Sequence, residues 1–117
     1  MSGPTIYHMC TRAEWDAAQA LGQYEGSSQD RADGFIHFSG ADQVKGSAAK
    51  HRAGQEGLVL LAVEAAALGP ALRWEASRGN ALFPHLYGAL PLAAVRQVDD
   101  LPLGPDGLHV FPILDEA

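Results

Sequence analysis

A chain of 117 residues fits a single domain, 1–117, that can bury one hydrophobic core. Eight basic against 14 acidic residues give a formal charge of −6, which argues against a broad basic surface for nucleic acid and favours a small, locally shaped ligand. A hydrophobic share of 47% excludes the disordered class, and no apolar run reaches the roughly 18–20 residues of a membrane span.

Met1-Ser2-Gly3-Pro4 has neither the basic region nor the apolar segment of a secretory signal, so a cytoplasmic location is expected. Thr5 to Met9 alternates as an opening strand, with Ile6 and His8 on one face and Tyr7 and Met9 on the other. Cys10 has no second cysteine for a disulfide or a thiolate metal site, and a buried, inert thiol is expected. Thr11-Arg12-Ala13-Glu14 has the form of a capping box. It predicts a helix over about 12–21, with Trp15, Ala18 and Leu21 on one stripe and Gly22 as its left-handed cap. Gln23 to Ala32 reads as a polar loop around one large residue, Tyr24, and loops of this kind often cover sites.

Gly34-Phe35-Ile36-His37-Phe38-Ser39 reads as a short strand after the turn pair Asp33-Gly34. Alternation sends Ile36 and Phe38 into the core and leaves His37 and Ser39 together on a polar face. Ser39-Gly40-Ala41-Asp42 predicts a second capping box and a helix to about His51, with Val44, Ala48 and Ala49 inward. Gly57 to Glu64 is the strongest apolar run and predicts a buried central strand. After a turn at Gly69-Pro70, Leu72 to Glu75 alternates again, with Leu72 and Trp74 inward and Arg73 and Glu75 opposite. Ser77-Arg78-Gly79-Asn80 is a turn, and Phe83 to Gly88 an irregular segment of aromatics, proline and histidine. A strand is expected near Val95 to Val98, a loop from Asp99 to Asp106, and a last strand over Leu108 to Phe111.

Short strands, two or three short helices and no regular strand-helix alternation predict an α+β domain with a largely antiparallel sheet. Neither dinucleotide-binding nor phosphate-loop glycine patterns are present. His8, His37 and His85 sit in apolar or aromatic surroundings, where an imidazole needs partners for both nitrogens. Three readings stand: separate structural histidines, a shared metal, or a metal-free pocket for a polar ligand. Ser39 serves either as a pocket hydroxyl or as a helix cap, and no Gly-x-Ser-x-Gly supports a serine nucleophile. Glu75 is either a partner of Arg73 or Arg78 or a carboxylate facing a cleft, and Tyr24 and Tyr87 either stack on a planar ligand or pack a loop.

Ile6-Tyr7-His8, Trp15, Tyr24, Gly34 to Ser39, Gln43, Glu75 and Phe83 to Gly88 together resemble the small bacterial family catalogued as domain of unknown function 952. The likeness spans about residues 5–112, the expected core of the domain. It implies a fold similar to that of ADP-ribosyltransferases. Some members carry a glutathione transferase label, yet this chain lacks the thioredoxin-like half and the helical domain that such enzymes need. In diphtheria-toxin-like ADP-ribosyltransferases a first-strand Tyr-His-Gly-Thr segment binds a ribose, aromatics sandwich the nicotinamide and a glutamate holds the nicotinamide ribose. Tyr7-His8-Met9-Cys10-Thr11 is similar to that segment with one residue inserted, so His8 carries over, and Glu75 is the family's own glutamate. The residue reading and the resemblance together give Glu75 and His37 as candidate catalytic residues and His8, Ser39, His85, Tyr87 and Tyr24 as candidate ligand contacts, with NAD as the candidate substrate and neither metal nor resident cofactor assigned. A non-catalytic module that binds a nucleotide or a partner in the same cleft is the alternative.

Overall fold

The computed structural model describes residues 4–77 and 81–114, and its centre is the pairing of β1 (Thr5–Thr11) with β5 (Leu58–Glu64), antiparallel along their whole length. Each strand is covered on both faces. Ile6, Cys10, Val59, Leu61 and Val63 enter one apolar cluster, and Tyr7, Leu58 and Leu60 enter another. A strand buried on two sides needs apolar residues at successive positions, which is why 58–63 shows no polar beat.

β4 (Ser39–Gly40) and β9 (Val95–Leu101) flank this pair, giving the order β4-β1-β5-β9. A second sheet places β7 (Leu82–Leu86) between β3 (Ile36–His37) and β6 (Leu72–Ala76), and β2 (Gln23–Tyr24) pairs with β8 (Leu90–Pro91). All pairings are antiparallel. With α1 (Arg12–Leu21), α2 (Ser28–Asp33) and α3 (Val44–His51), the domain is α+β as expected. Among the described residues no helix is long and apolar enough to cross a membrane.

The stretch from Gly34 to Ser39 buries Ile36 and Phe38 as its alternation requires, but it is two strands in two sheets. Pro84 explains the break. The Phe38 N–H donates to the Pro84 carbonyl at 2.9 Å, and proline has no N–H with which to answer. The β3–β7 ladder therefore stops at the His37–His85 pair, and the chain crosses to β1, where Ser39 pairs with Tyr7. Phe83 to Leu86, expected to be irregular, belongs to a regular strand because only this one position fails to donate.

Other departures have equally local causes. The Thr11–Glu14 capping box forms, and Trp15 and Ala18 are buried, but Leu21 is 62% exposed. Three residues turn a helix by about 300°, so two such steps from Trp15 carry Leu21 off the stripe. Residues 23–32 are not all loop: Ser27 and Asp30 make a reciprocal capping box that starts α2. Ser39 caps no helix; α3 is preceded by Gln43, whose side chain instead accepts the Gly40 N–H at 2.9 Å. On α3, Val44 and Ala48 are buried as expected, whereas Ala49 is exposed and Ser47 is buried. Trp74 lies 44% exposed because β6 is an edge strand whose face is covered only near Leu72. β9 runs on to Leu101, and the expected last strand reduces to a single bridge between Leu103 and His109. The turn over Ser77-Arg78-Gly79-Asn80 lies outside the described residues beyond Ser77, as do Met1-Ser2-Gly3.

Trp15 and Leu21 test this division of α1. Trp15→Ala should cost about 3–5 kcal/mol by opening a cavity in the core, and Leu21→Ala should change stability by about 0.5 kcal/mol or less, both measured by urea unfolding.

Candidate functional site

The site begins with a helix cap. Asp30, buried at the first turn of α2, accepts the Ser27 N–H (2.8 Å) and hydroxyl (3.0 Å) on Oδ2. Its other oxygen, Oδ1, accepts the His37 backbone N–H (3.1 Å) and ring Nδ1–H (2.6 Å). Gly26 makes room for it: at φ 96° with a would-be Cβ 2.7 Å from the Asp30 Cβ, no other residue fits there without displacement. Burial opposes the Asp30 charge, but the hydrogen bonds from His37 and Ser27 and the nearby His8 prevail, leaving its pKa lowered to about 2.

His37 and His8 are set to opposite protonation states. His37 presents Nδ1 to Asp30 and Nε2 to Asp33 at 3.0 Å, so both nitrogens donate and the imidazolium is favoured. Chiefly the Asp30 hydrogen bond raises its pKa, against the effect of partial burial. His8 is buried, and burial lowers its pKa. Its Nδ1–H donates to the His37 carbonyl at 2.5 Å, which leaves Nε2 to accept the Tyr24 hydroxyl at 2.7 Å. The 3.6 Å approach of His8 Nε2 to Asp30 Oδ2 is thus no ion pair, because the imidazole is neutral. Cys10 beneath them is buried, and desolvation pushes its thiol up to about 12, as an inert cysteine requires.

His85 faces His37 across the β3–β7 ladder, with ring centroids 5.7 Å apart. Its Nδ1–H donates to Glu75 Oε1 at 2.8 Å, and the Tyr87 hydroxyl donates to the same oxygen at 2.6 Å. These two bonds, that of Tyr87 first, hold the Glu75 carboxyl below its ordinary range, and Glu75 in turn raises the Tyr87 phenol. Phe35 stacks on His85 at 4.2 Å, and the Arg73 guanidinium lies 5.4 Å over the Tyr87 ring.

A cleft of about 770 Å³ opens where the chain passes between the two sheets, a volume within the range that accepts small-molecule ligands. His8, His37, His85 and Ser39 all line it. Ser39 shares a hydrogen bond with Ser47 at 3.0 Å. The other three candidates stand back from it: Tyr24 is buried against His8, and Glu75 and Tyr87 are bonded to one another beside His85. Among the described residues no group of three or more His, Cys, Asp or Glu is placed to hold a metal ion. Asp30, Asp33 and Arg52 also line the cleft and were not foreseen from the sequence. The Ser27-x-x-Asp30 spacing was a readable signal for α2, although nothing in it announced a partner seven residues on.

The charges at His37 and Asp30 make stability depend on pH. A pKa raised above 6.5 means that the His37 contribution is complete below 6.5 and is lost as pH climbs through the folded value. Asp30, lowered from 3.8 to about 2, contributes above 3.8 and loses its share as pH falls toward 2. His8, lowered from 6.5, contributes above 6.5 and fades on acidification. Wild-type Tm should therefore decline on the alkaline side of 6.5, and His37→Asn should flatten that limb while the acid limb, which also rests on His8 and Ser27, persists in weaker form. Circular dichroism melts across the pH range check this, and an unchanged alkaline slope would exclude His37 as its source.

No curated protein matches the chain. Among solved structures, the crystal structure of protein CC0527 from Caulobacter crescentus is 55% identical, with 91% of this chain and 93% of that one covered at a TM-score of 0.88. The solution structure of the same protein is 56% identical, covers 89% and 90%, and has a TM-score of 0.80. The sequence profile of the protein family of unknown function DUF952 matches residues 9–98, and the chain belongs to that family.

Proposed function

We propose that the cleft binds an NAD-like nucleotide and that the domain acts on its nicotinamide–ribose bond, with chemistry of the ADP-ribosyltransferase or NAD glycohydrolase type on an ADP-ribosyltransferase-like fold. The observation that carries this reading is the cluster of Glu75, Tyr87 and Phe35 gathered around His85, which lines the cleft. Breaking a ribosyl C–N bond sends the electron pair out with nicotinamide and leaves oxocarbenium character on the sugar, which a fixed negative charge stabilises. Glu75 is kept ionised by its two donors, and Phe35 and Tyr87 offer aromatic faces to a planar leaving group.

A second reading, a non-catalytic module binding the same class of ligand, is favoured by where the polar atoms point. Glu75 Oε1 already accepts two internal hydrogen bonds, and both nitrogens of His8 are engaged within the protein, which takes away the ribose contact that the family resemblance implies for it.

Two measurements separate these readings. NAD or ADP-ribose should raise the Tm of the wild type, by the equivalent of about 2.7 kcal/mol at 100-fold excess over Kd. Nicotinamide release from NAD should fall by about 100-fold or more in Glu75→Gln while the ligand-induced shift persists. Release absent from both proteins despite binding selects the module; no shift with either nucleotide removes both readings.

A further inference from the structure

We propose that Arg52 forms an anion subsite in the cleft, built to take the phosphate or pyrophosphate of its ligand. The subsite deepens the nucleotide reading and rests on it for the remainder of the ligand, but its residues are separate from the Glu75 cluster.

Among the described residues that line the cleft, Arg52 is the one lysine or arginine. It is half-buried, immediately after α3, and has no carboxylate within 4.0 Å among the described residues. Arg12, Arg31 and Arg96, which do not line the cleft, are paired with Asp100, Glu25 and Glu64 respectively. The hydrogen bonds that Arg52 makes are to neutral acceptors: Gln55 Oε1 at 3.1 Å and, at a weak 3.4 Å, the Met9 carbonyl. These fix the plane of the guanidinium without neutralising it. A partly desolvated charge held in this way gains charge-assisted hydrogen bonds in place of lost hydration when an anion arrives, and a guanidinium meets phosphoryl oxygens with two parallel N–H bonds.

The acidic groups of the cleft are engaged elsewhere. Asp30 and Asp33 both bind His37, and Glu14 accepts the Thr11 N–H at 2.8 Å within the α1 cap. His37 is in turn committed to those two carboxylates, so among the described residues that line the cleft Arg52 is the arginine or lysine left for a ligand. A nucleotide would place its phosphates at Arg52 and its sugar and base along the wall of His37, His85 and Phe83.

Calorimetric titration of wild type, Arg52→Gln and Arg52→Lys with adenosine, ADP-ribose and inorganic pyrophosphate tests this, with melting curves as the folding control. In the wild type ADP-ribose should bind at least about tenfold more tightly than adenosine, a gap of about 1.4 kcal/mol. Arg52→Gln should erase the gap and leave adenosine binding alone, and Arg52→Lys should restore part of it, as a point charge without the fork does. Should Arg52→Gln fail to fold, the lysine variant and the narrowing of the wild-type gap with added salt decide the matter. A gap that survives in Arg52→Gln, or adenosine binding that phosphate does not improve, overturns the subsite while leaving a nucleoside pocket. Pyrophosphate bound by the wild type and lost in Arg52→Gln, with neither adenosine nor ADP-ribose bound, supports the subsite and overturns the nucleotide reading. Failure of all three ligands on the wild type overturns both.

Discussion

The carboxylate of Asp30 is the point through which the site is assembled. One oxygen closes the first turn of α2 on Ser27, and the other holds His37 by its main chain and its ring. The His37 carbonyl then orients His8, whose other nitrogen orients Tyr24. A single buried anion thus links a helix start, a strand start and two histidines. Such a charge is tolerable only because every lone pair it directs inward meets a donor.

The three cleft histidines show how environment divides the work of one residue type. His8, enclosed and bonded to a carbonyl and a hydroxyl, is neutral and has no nitrogen to spare. His37, between two carboxylates that favour its imidazolium form, acts as a clamp on α2. His85 gives one nitrogen to Glu75, and its other nitrogen has no partner among the described residues. Of the three, His85 is the one that, on the proposed reading, has a nitrogen to offer a ligand.

Much of this was legible in the sequence where the signal was periodic or a local motif. The α1 cap, the doubly buried β5 and the inward pair Ile36 and Phe38 all follow from patterns within a few residues. His8, His37, Ser39 and His85 could be suspected because polar groups in apolar stretches demand partners. Long-range pairing was not legible: Asp30 becomes a site residue only because α2 folds against β3, and Arg52 only because its helix ends beside β1. Pro84 misled in the opposite direction, since proline ordinarily argues against an inner strand. Trp74 misled because alternation tells which side a residue takes and not whether that side is covered.

The missing amide of Pro84 sets where the main chain parts. The β3–β7 ladder ends there, and the residues on either side of the break, His37, Ser39 and His85, line the cleft. An ordinary residue at position 84 would bring an N–H donor back to the ladder, so the parting of the strands at this point is held by main-chain chemistry.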